Sequence, residues 1–263
     1  MFKRMGTSGR RAIAWVGVIV CSLTFVMMNM PGLASMLSGL GRQSEPVEYA
    51  ATTDEYKDVT FVWNEASAPD YVRMVGTSQA DTSLAPGEVR YGGLDSLGRT
   101  QAVKACVTKQ MVDEGSARER EDMSGIRPSG WPEDNAEVDI SMPDGSTYHG
   151  WLFNRSHLLA KSLGGKDEAE NLVTGTRTQN VGANDGKGGI AACETMVRDW
   201  LAQNPDGHVW YDVTPQYEGD SLVPLAVTVD MRTSDGSLDA RYVTYNAAKG
   251  YEIDYSDGSW SKR

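Results

Sequence analysis

The sequence predicts an α+β domain with an antiparallel sheet at its core, and three observations carry that expectation. Short runs rich in Val, Thr, Tyr and Trp, separated by turn-forming pairs such as Asp144-Gly145 and Asp235-Gly236, recur on both sides of the chain's centre. This is the pattern of strands joined by tight connections. One segment shows helical spacing: Cys193, Met196, Val197, Trp200 and Leu201 follow one another at intervals of three, one, three and one, which gathers them on one face of an amphipathic helix. No sequence period recurs along the 263 residues, which excludes a solenoid or propeller. Strands, then a loop-and-helix excursion, then more strands is the order of an α+β layer, not of alternating βαβ units.

The elements follow from the amino terminus. Lys3, Arg4, Arg10 and Arg11 precede an uncharged stretch from Ala12 to Gly41, with the apolar run Ala12 to Met28 inside it and small residues after Pro31. Residues 1–41 therefore read as a signal peptide or a signal anchor. The apolar run nearly reaches the roughly 20 residues that span a bilayer, so cleaved secretion and anchoring to the outer face of the membrane by residues 12–34 both fit. The four cations place the amino terminus in the cytoplasm in either case. Residues 42–57, made of Gln, Ser, Glu, Pro, Thr and Asp with little apolar periodicity, form a linker. The folded domain covers 58–263.

Within that domain, Val59 to Trp63 is a short strand candidate and Gln101 to Val112 suits a half-buried strand. Gly115 to Asn135, with its charged start and Arg127-Pro128-Ser129-Gly130-Trp131-Pro132, is a long loop of the kind that often carries function. Ala136 to Met142 and Thr147 to Phe153 form a hairpin about Pro143-Asp144-Gly145-Ser146. Leu158 to Leu163 is a short helix stopped by Gly164-Gly165, Asn171 to Gly189 a surface loop, and Ile190 to Gln203 the amphipathic helix. Strands then occupy His208 to Val213, Leu222 to Met231 and Arg241 to Asn246.

Charge limits the function. Residues 43–263 carry 20 Lys or Arg against 36 Asp or Glu, a net of −16. A domain that coats nucleic acid should be basic over its binding face, so broad electrostatic capture is disfavoured. Between Asn154 and Arg198, six basic residues face five acidic ones, and attraction for a polyanion there must come from a few placed cations and a metal. Cys106 and Cys193 are the cysteines of the exported body. Outside the cell they can pair as a disulfide, or stay as buried free thiols.

The chemistry concentrates in Asn154-Arg155-Ser156-His157, followed by Asn171, Asn180 and Glu194. Neutral imidazole, with an ordinary pKa of about 6.5, can take a proton from water. An amide oxygen is a hard ligand suited to Mg²⁺, and guanidinium presents a fork of donors to phosphate. Each residue alone has a plainer reading: a surface histidine, loop asparagines favoured for turns, a Glu194–Arg198 surface pair at i,i+4. Arg127 and Arg177 are further phosphate candidates, Trp131 and Trp151 candidates for stacking or core packing, and His149 and His208 ordinary strand residues.

The run NRSHLLAKSLGGKDEAENLVTGTRTQNVGAN (Asn154 to Asn184) strongly resembles the DNA/RNA non-specific endonuclease family of ββα-metal nucleases, nearest to its streptodornase-like secreted DNase branch. Gly92 to Thr100 (GGLDSLGRT), Pro128-Ser129-Gly130-Trp131, VTVDMRTSDGS and IDYSDG extend the resemblance over most of the chain after about Glu88. The resemblance implies a ββα-metal core and a Mg²⁺-dependent endonuclease, with Mn²⁺ as a substitute, acting on DNA and secondarily RNA as a monomer. It makes His157 the general base and Asn180 the metal ligand. Asn171, nine residues before Asn180, positions the metal loop, and Glu194, 14 residues after it, holds metal-bound waters. Arg155 binds phosphate. Asn154 and Ser156 replace the family's more common Asp and Gly, a departure shared by the streptodornase-like branch. An inactive surface protein that captures DNA for uptake, and a phosphodiesterase acting on small phosphoesters, are the competing readings.

Overall fold

The computed structural model describes residues 59–263, so the expected export segment and linker lie outside the described residues. Three strands come first: β1 (Val72–Gly76), β2 (Val89–Tyr91) and β3 (Val103–Thr108), the last running straight into α1 (Lys109–Ala117). The hairpin of β4 (Glu137–Ser141) and β5 (Thr147–Trp151) is followed by β6 (Phe153–His157) and β7 (Leu172–Thr176), then by α2 (Arg177–Val181) and α3 (Gly189–Gln203). The chain ends in β8 (His208–Gln216), β9 (Ala226–Thr233), β10 (Asp239–Tyr245) and a short pair, β11 (Tyr251–Ile253) and β12 (Trp260–Lys262). This is an α+β fold whose main sheet has the order β1-β10-β9-β8-β3-β2, antiparallel throughout.

Alternation along the strands decides what the sheet buries. Val209, Tyr211 and Val213 of β8 and Val227, Val229 and Met231 of β9 join Val103, Ala105 and Val107 of β3 in one core. Helix α3 lays Ile190, Cys193, Val197 and Leu201 into the same core, the stripe that its sequence spacing predicts. At about 1.5–3 kcal/mol for each fully buried aliphatic side chain, this contact fixes α3, and with it Glu194, on a rigid base. On the opposite face, the backbone N–H groups of Ser78, Gln79 and Asp81 donate to Asp239, Asp230 and Asp212 on three neighbouring strands. A second cluster built on Val138, Ile140, Leu152, Phe153 and Tyr251 supports the β4–β5 hairpin.

Several segments differ from the sequence reading, each for a local reason. Gln101 to Val112 is a strand only to Thr108, whose hydroxyl accepts the Met111 N–H at 3.3 Å and caps α1. Val59 to Trp63 is irregular. Its aromatic residues are instead used in packing, with Trp63 stacked on Tyr71 at 4.7 Å. The predicted loop from Asn171 contains β7, all five residues of which are buried. Residues 161–163 form a single 3₁₀ turn, not an α-helix, ended by Gly164 in the left-handed conformation. β2, β11 and β12, of three residues each, are too short to show a period, and β1 shows no alternation of buried and exposed positions. Cys106 and Cys193 are both buried and free.

Candidate active site

Strand β6 carries the tetrapeptide, and its pairing with β7 sets the site's frame: Asn154 lies opposite Gly175, Arg155 opposite Thr174, Ser156 opposite Val173 and His157 opposite Leu172. Successive side chains on a strand point to opposite faces. The tetrapeptide is thereby divided into two sets with different neighbours, Asn154 with Ser156 and Arg155 with His157.

The first set meets α2. The Nδ2 of Asn180 donates to Asn154 Oδ1 at 3.1 Å, and Ser156 Oγ lies 3.2 Å from Asn180 Oδ1. Ser156 Oγ is closer to Gln179 Oε1, at 2.7 Å. A hydroxyl has one proton, so the shorter bond takes it and Asn180 Oδ1 keeps its lone pairs. Gln179 is in turn held by Thr244 Oγ1 of β10 at 3.3 Å. Gly175 makes this contact possible, because a Cβ there would lie 2.4 Å from Gln179 Oε1 and 2.6 Å from Ser156 Cβ. At the far end of α2, Gly189 has φ +57° and would set a Cβ 2.3 Å from the Gln179 carbonyl, so only glycine lets α3 start so close to α2. Asn246 docks the ribbon on the main sheet: its carboxamide accepts from Thr176 N–H and donates to the carbonyls of Thr174 and Pro224.

The second set faces two loops. His157 Nε2 lies 2.7 Å from Asp167 Oδ1, and the Asp167 side chain is only 2% exposed. Asp167 Oδ2 accepts the Glu121 N–H at 3.3 Å and stands 4.0 Å from Arg118 Nη2. Burial holds the His157 imidazole below its ordinary pKa; Asp167 pulls it up, while Arg120 and Arg118 push it down. Burial alone would raise the Asp167 carboxyl, but the bonds from His157 and Glu121 and the nearby cations outweigh it and hold the group below the usual carboxylate range. The two directions agree on one state near neutrality: an ionised Asp167 accepting a proton from a neutral His157.

Arg155 is placed otherwise than as a free phosphate fork. Its Nη2 donates to the Ser124 carbonyl at 2.9 Å and its Nε to that of Ile126, with the guanidinium 4.2 Å from the centre of the Trp131 ring. Strand alternation turns it toward the loop after α1, which it ties down. Arg118 and Arg120 are both exposed and their charges both act on His157; Arg120 also acts on Glu194. Arg177 lies over the Tyr148 ring at 4.8 Å.

Asn171 is fully buried and its carboxamide bonds the backbone of the loop that follows His157. It accepts the Leu159 N–H at 2.9 Å and donates to the carbonyls of Leu159 at 2.9 Å and Lys166 at 2.8 Å. Glu194 projects from the second turn of α3, 14% exposed, with Arg198 Nη1 at 3.9 Å. Burial pushes its carboxyl up to about 7, against Arg198 and Arg120. Asn184, at φ 64°, is a left-handed turn residue. His149 bonds Asp139 at 2.7 Å on the exposed hairpin, and His208 packs edge-on against Trp210. The site residues that the spacing did not reveal are Asp167, Gln179, Arg118 and Arg120. Asp167 had one signal, its position two residues beyond a Gly-Gly turn that sends the chain back toward β6.

Ribbon β6–β7 followed by α2 and α3 is a ββα unit, and known proteins match the chain that contains it. The sequence profile of the DNA/RNA non-specific endonuclease family matches residues 79–235. A deoxyribonuclease of Streptococcus dysgalactiae subsp. equisimilis is 30% identical, over 82% of this chain and 76% of the relative. The structure of Sda1 nuclease with bound zinc ion is 32% identical and aligns with a TM-score of 0.72 over 76% of this chain and 100% of that one. NucA from Streptococcus agalactiae with magnesium ion bound shares the fold, with a TM-score of 0.55 at 23% identity over 70% of this chain and 84% of that one.

Proposed function

The chain belongs to the DNA/RNA non-specific endonuclease family, and on that premise we propose that it is an exported, divalent-metal-dependent endonuclease acting on DNA and secondarily on RNA. The observation that carries the reading is an imidazole at the end of β6, hydrogen-bonded to a buried carboxylate, on the same strand as Asn154, whose side chain holds the Asn180 carboxamide. Export rests on the composition of residues 1–41.

Asn180 suits a hard cation: Asn154 fixes its amide nitrogen, and Ser156 leaves its oxygen lone pairs available. Asn180 is the residue that would hold Mg²⁺ or Mn²⁺, and Glu194 would accept from the waters such ions retain. Bound there, the ion would polarise the phosphate and stabilise the charge on the leaving oxygen. The chain's own residues do the rest. His157 takes a proton from water; the resulting oxygen attacks phosphorus, and the scissile P–O pair leaves on the sugar oxygen. Arg120, exposed and coupled to both His157 and Glu194, offers its fork to the phosphate, while Arg155 and Asn171 fix the loops on either side. In a body of net charge −16, Arg120 and the metal supply most of the local attraction for a polyanion, so activity depends steeply on the divalent ion.

The purified protein should degrade plasmid DNA with Mg²⁺, stop on adding EDTA and recover when Mg²⁺ is restored. His157→Ala, folded by circular dichroism, should lose the activity; cleavage at the unmodified rate would overturn the mechanism. A gel shift without cleavage in Mg²⁺ would select the DNA-capture reading instead.

A further inference from the structure

We propose that Asp167 is the positioning residue of the hydrolytic base: its carboxylate accepts the Nε2 proton of His157 and fixes the ring in the tautomer that presents Nδ1 as the lone pair for water. The inference rests on reading His157 as the base. Its warrant is geometric. The Nε2–Oδ1 separation of 2.7 Å is that of a charge-assisted hydrogen bond, and Asp167 is nearly inaccessible to solvent. Its second oxygen is engaged by the Glu121 N–H, and Arg118 reaches both it and the Gly165 carbonyl. Asn171 pins the intervening loop at Leu159 and Lys166, so two residues ten positions apart in sequence are held in one orientation.

A purely structural ion pair would require a cationic imidazole. Burial of the ring argues against that state: it outweighs the pull of Asp167, with Arg120 and Arg118 from the loop after α1 adding to it. The bond is therefore made by the neutral ring, and it fixes which nitrogen carries the proton. When Nδ1 takes a proton from the attacking water, the ring becomes an imidazolium with N–H on both nitrogens. Asp167 stays ionised beside it and stabilises the positive charge without taking a proton. A carboxylate so placed serves orientation first and charge stabilisation second.

The test is Asp167→Asn in the full-length protein, read in three ways. The turnover number should fall by about 10²–10⁴-fold, with KM changed only a few-fold, the range seen when a base loses its orienting carboxylate. The acid limb of kcat/KM should move to lower pH, because removing the anion removes the group that raises the ring's pKa. The ¹⁵N signals of the His157 ring should show the proton on Nε2 in the unmodified protein and a different tautomer in the variant. Turnover and acid limb left unchanged would overturn the proposal, as would loss of activity only in proportion to unfolding with the tautomer retained. A proton on Nδ1 in the unmodified protein would overturn it without any variant. Activity surviving in folded His157→Ala would mean that the base reading had failed, while the ring signals would still report whether Asp167 holds the imidazole.

Discussion

Asn171→Ala isolates what the buried carboxamide contributes, since it removes three hydrogen bonds and almost nothing else. The Leu159 N–H and the carbonyls of Leu159 and Lys166 all lose their partner. The site is fully buried, so these groups are not simply handed to bulk water. An unsatisfied buried polar group costs about 1–3 kcal/mol, and a water entering the space left behind would offset part of that. The expected loss is about 3–5 kcal/mol of folding stability, read from urea unfolding monitored by tryptophan fluorescence with m unchanged. Asn171→Asp sharpens the test. The new carboxylate can still accept from Leu159 N–H, but its other oxygen replaces a donor and faces two carbonyl oxygens. Its folded pKa should therefore lie above the unfolded value of about 3.9. For a group raised in the fold, the favourable contribution is full below the unfolded pKa and is lost as pH rises through the folded one. Asn171→Asp should thus be at least as damaging as Asn171→Ala at pH 7 and milder near pH 4. A loss below about 1 kcal/mol for Asn171→Ala, measured against that range, would refute the assignment, as would two variants with the same pH dependence.

Three further outcomes follow from the geometry. Asn154→Ala frees the Asn180 amide, so the Mg²⁺ concentration for half-maximal cleavage should rise by about tenfold, in the range seen when residues supporting a metal ligand are lost; a metal titration of plasmid cleavage reads it. Arg120→Ala and Arg155→Ala should separate: the exposed Arg120 should leave stability within about 0.5 kcal/mol while lowering kcat/KM, whereas loss of Arg155's bonds to Ser124 and Ile126 and its contact with Trp131 should lower stability by about 1–3 kcal/mol. The acid limb of kcat/KM should lie below the ordinary histidine value of about 6.5, because the ring must be neutral to act and burial with Arg118 and Arg120 keeps it neutral to lower pH; a pH–rate profile at saturating metal checks the sign.

Much of the fold and the family was legible in the sequence, and the misreadings have physical causes. Helix α3 was visible because a surface helix advertises its buried stripe in every turn. β7 was hidden because it is buried on both faces, so Leu172–Thr176 shows no alternation and sits between asparagine and an Arg-Thr pair that look like loop. Asp167 was hidden among Lys166, Glu168 and Glu170, a charge run whose default is a solvated surface. The one local mark is its place two residues beyond the Gly164-Gly165 turn that brings the chain back toward β6. The spacing of Asn171, Asn180 and Glu194 singles out a segment of chain, but spacing along the chain does not say which side chains share a face.

That face assignment follows from a strand's period of two once β6 is placed. Residues 154 and 156 go one way, toward α2, and residues 155 and 157 the other, toward the loops at 118–127 and 166–168. The proposed metal ligand, Asn180, and the proposed base, His157, are therefore supported by different parts of the protein. Asp167→Asn should alter the proposed base's pH dependence while leaving metal affinity alone, and changes at Gln179 or Gly175 should do the reverse. A family site read as one motif is, in physical terms, two half-sites joined by a five-residue strand, and the rigidity of the β6–β7 ribbon, docked by Asn246, keeps them in register.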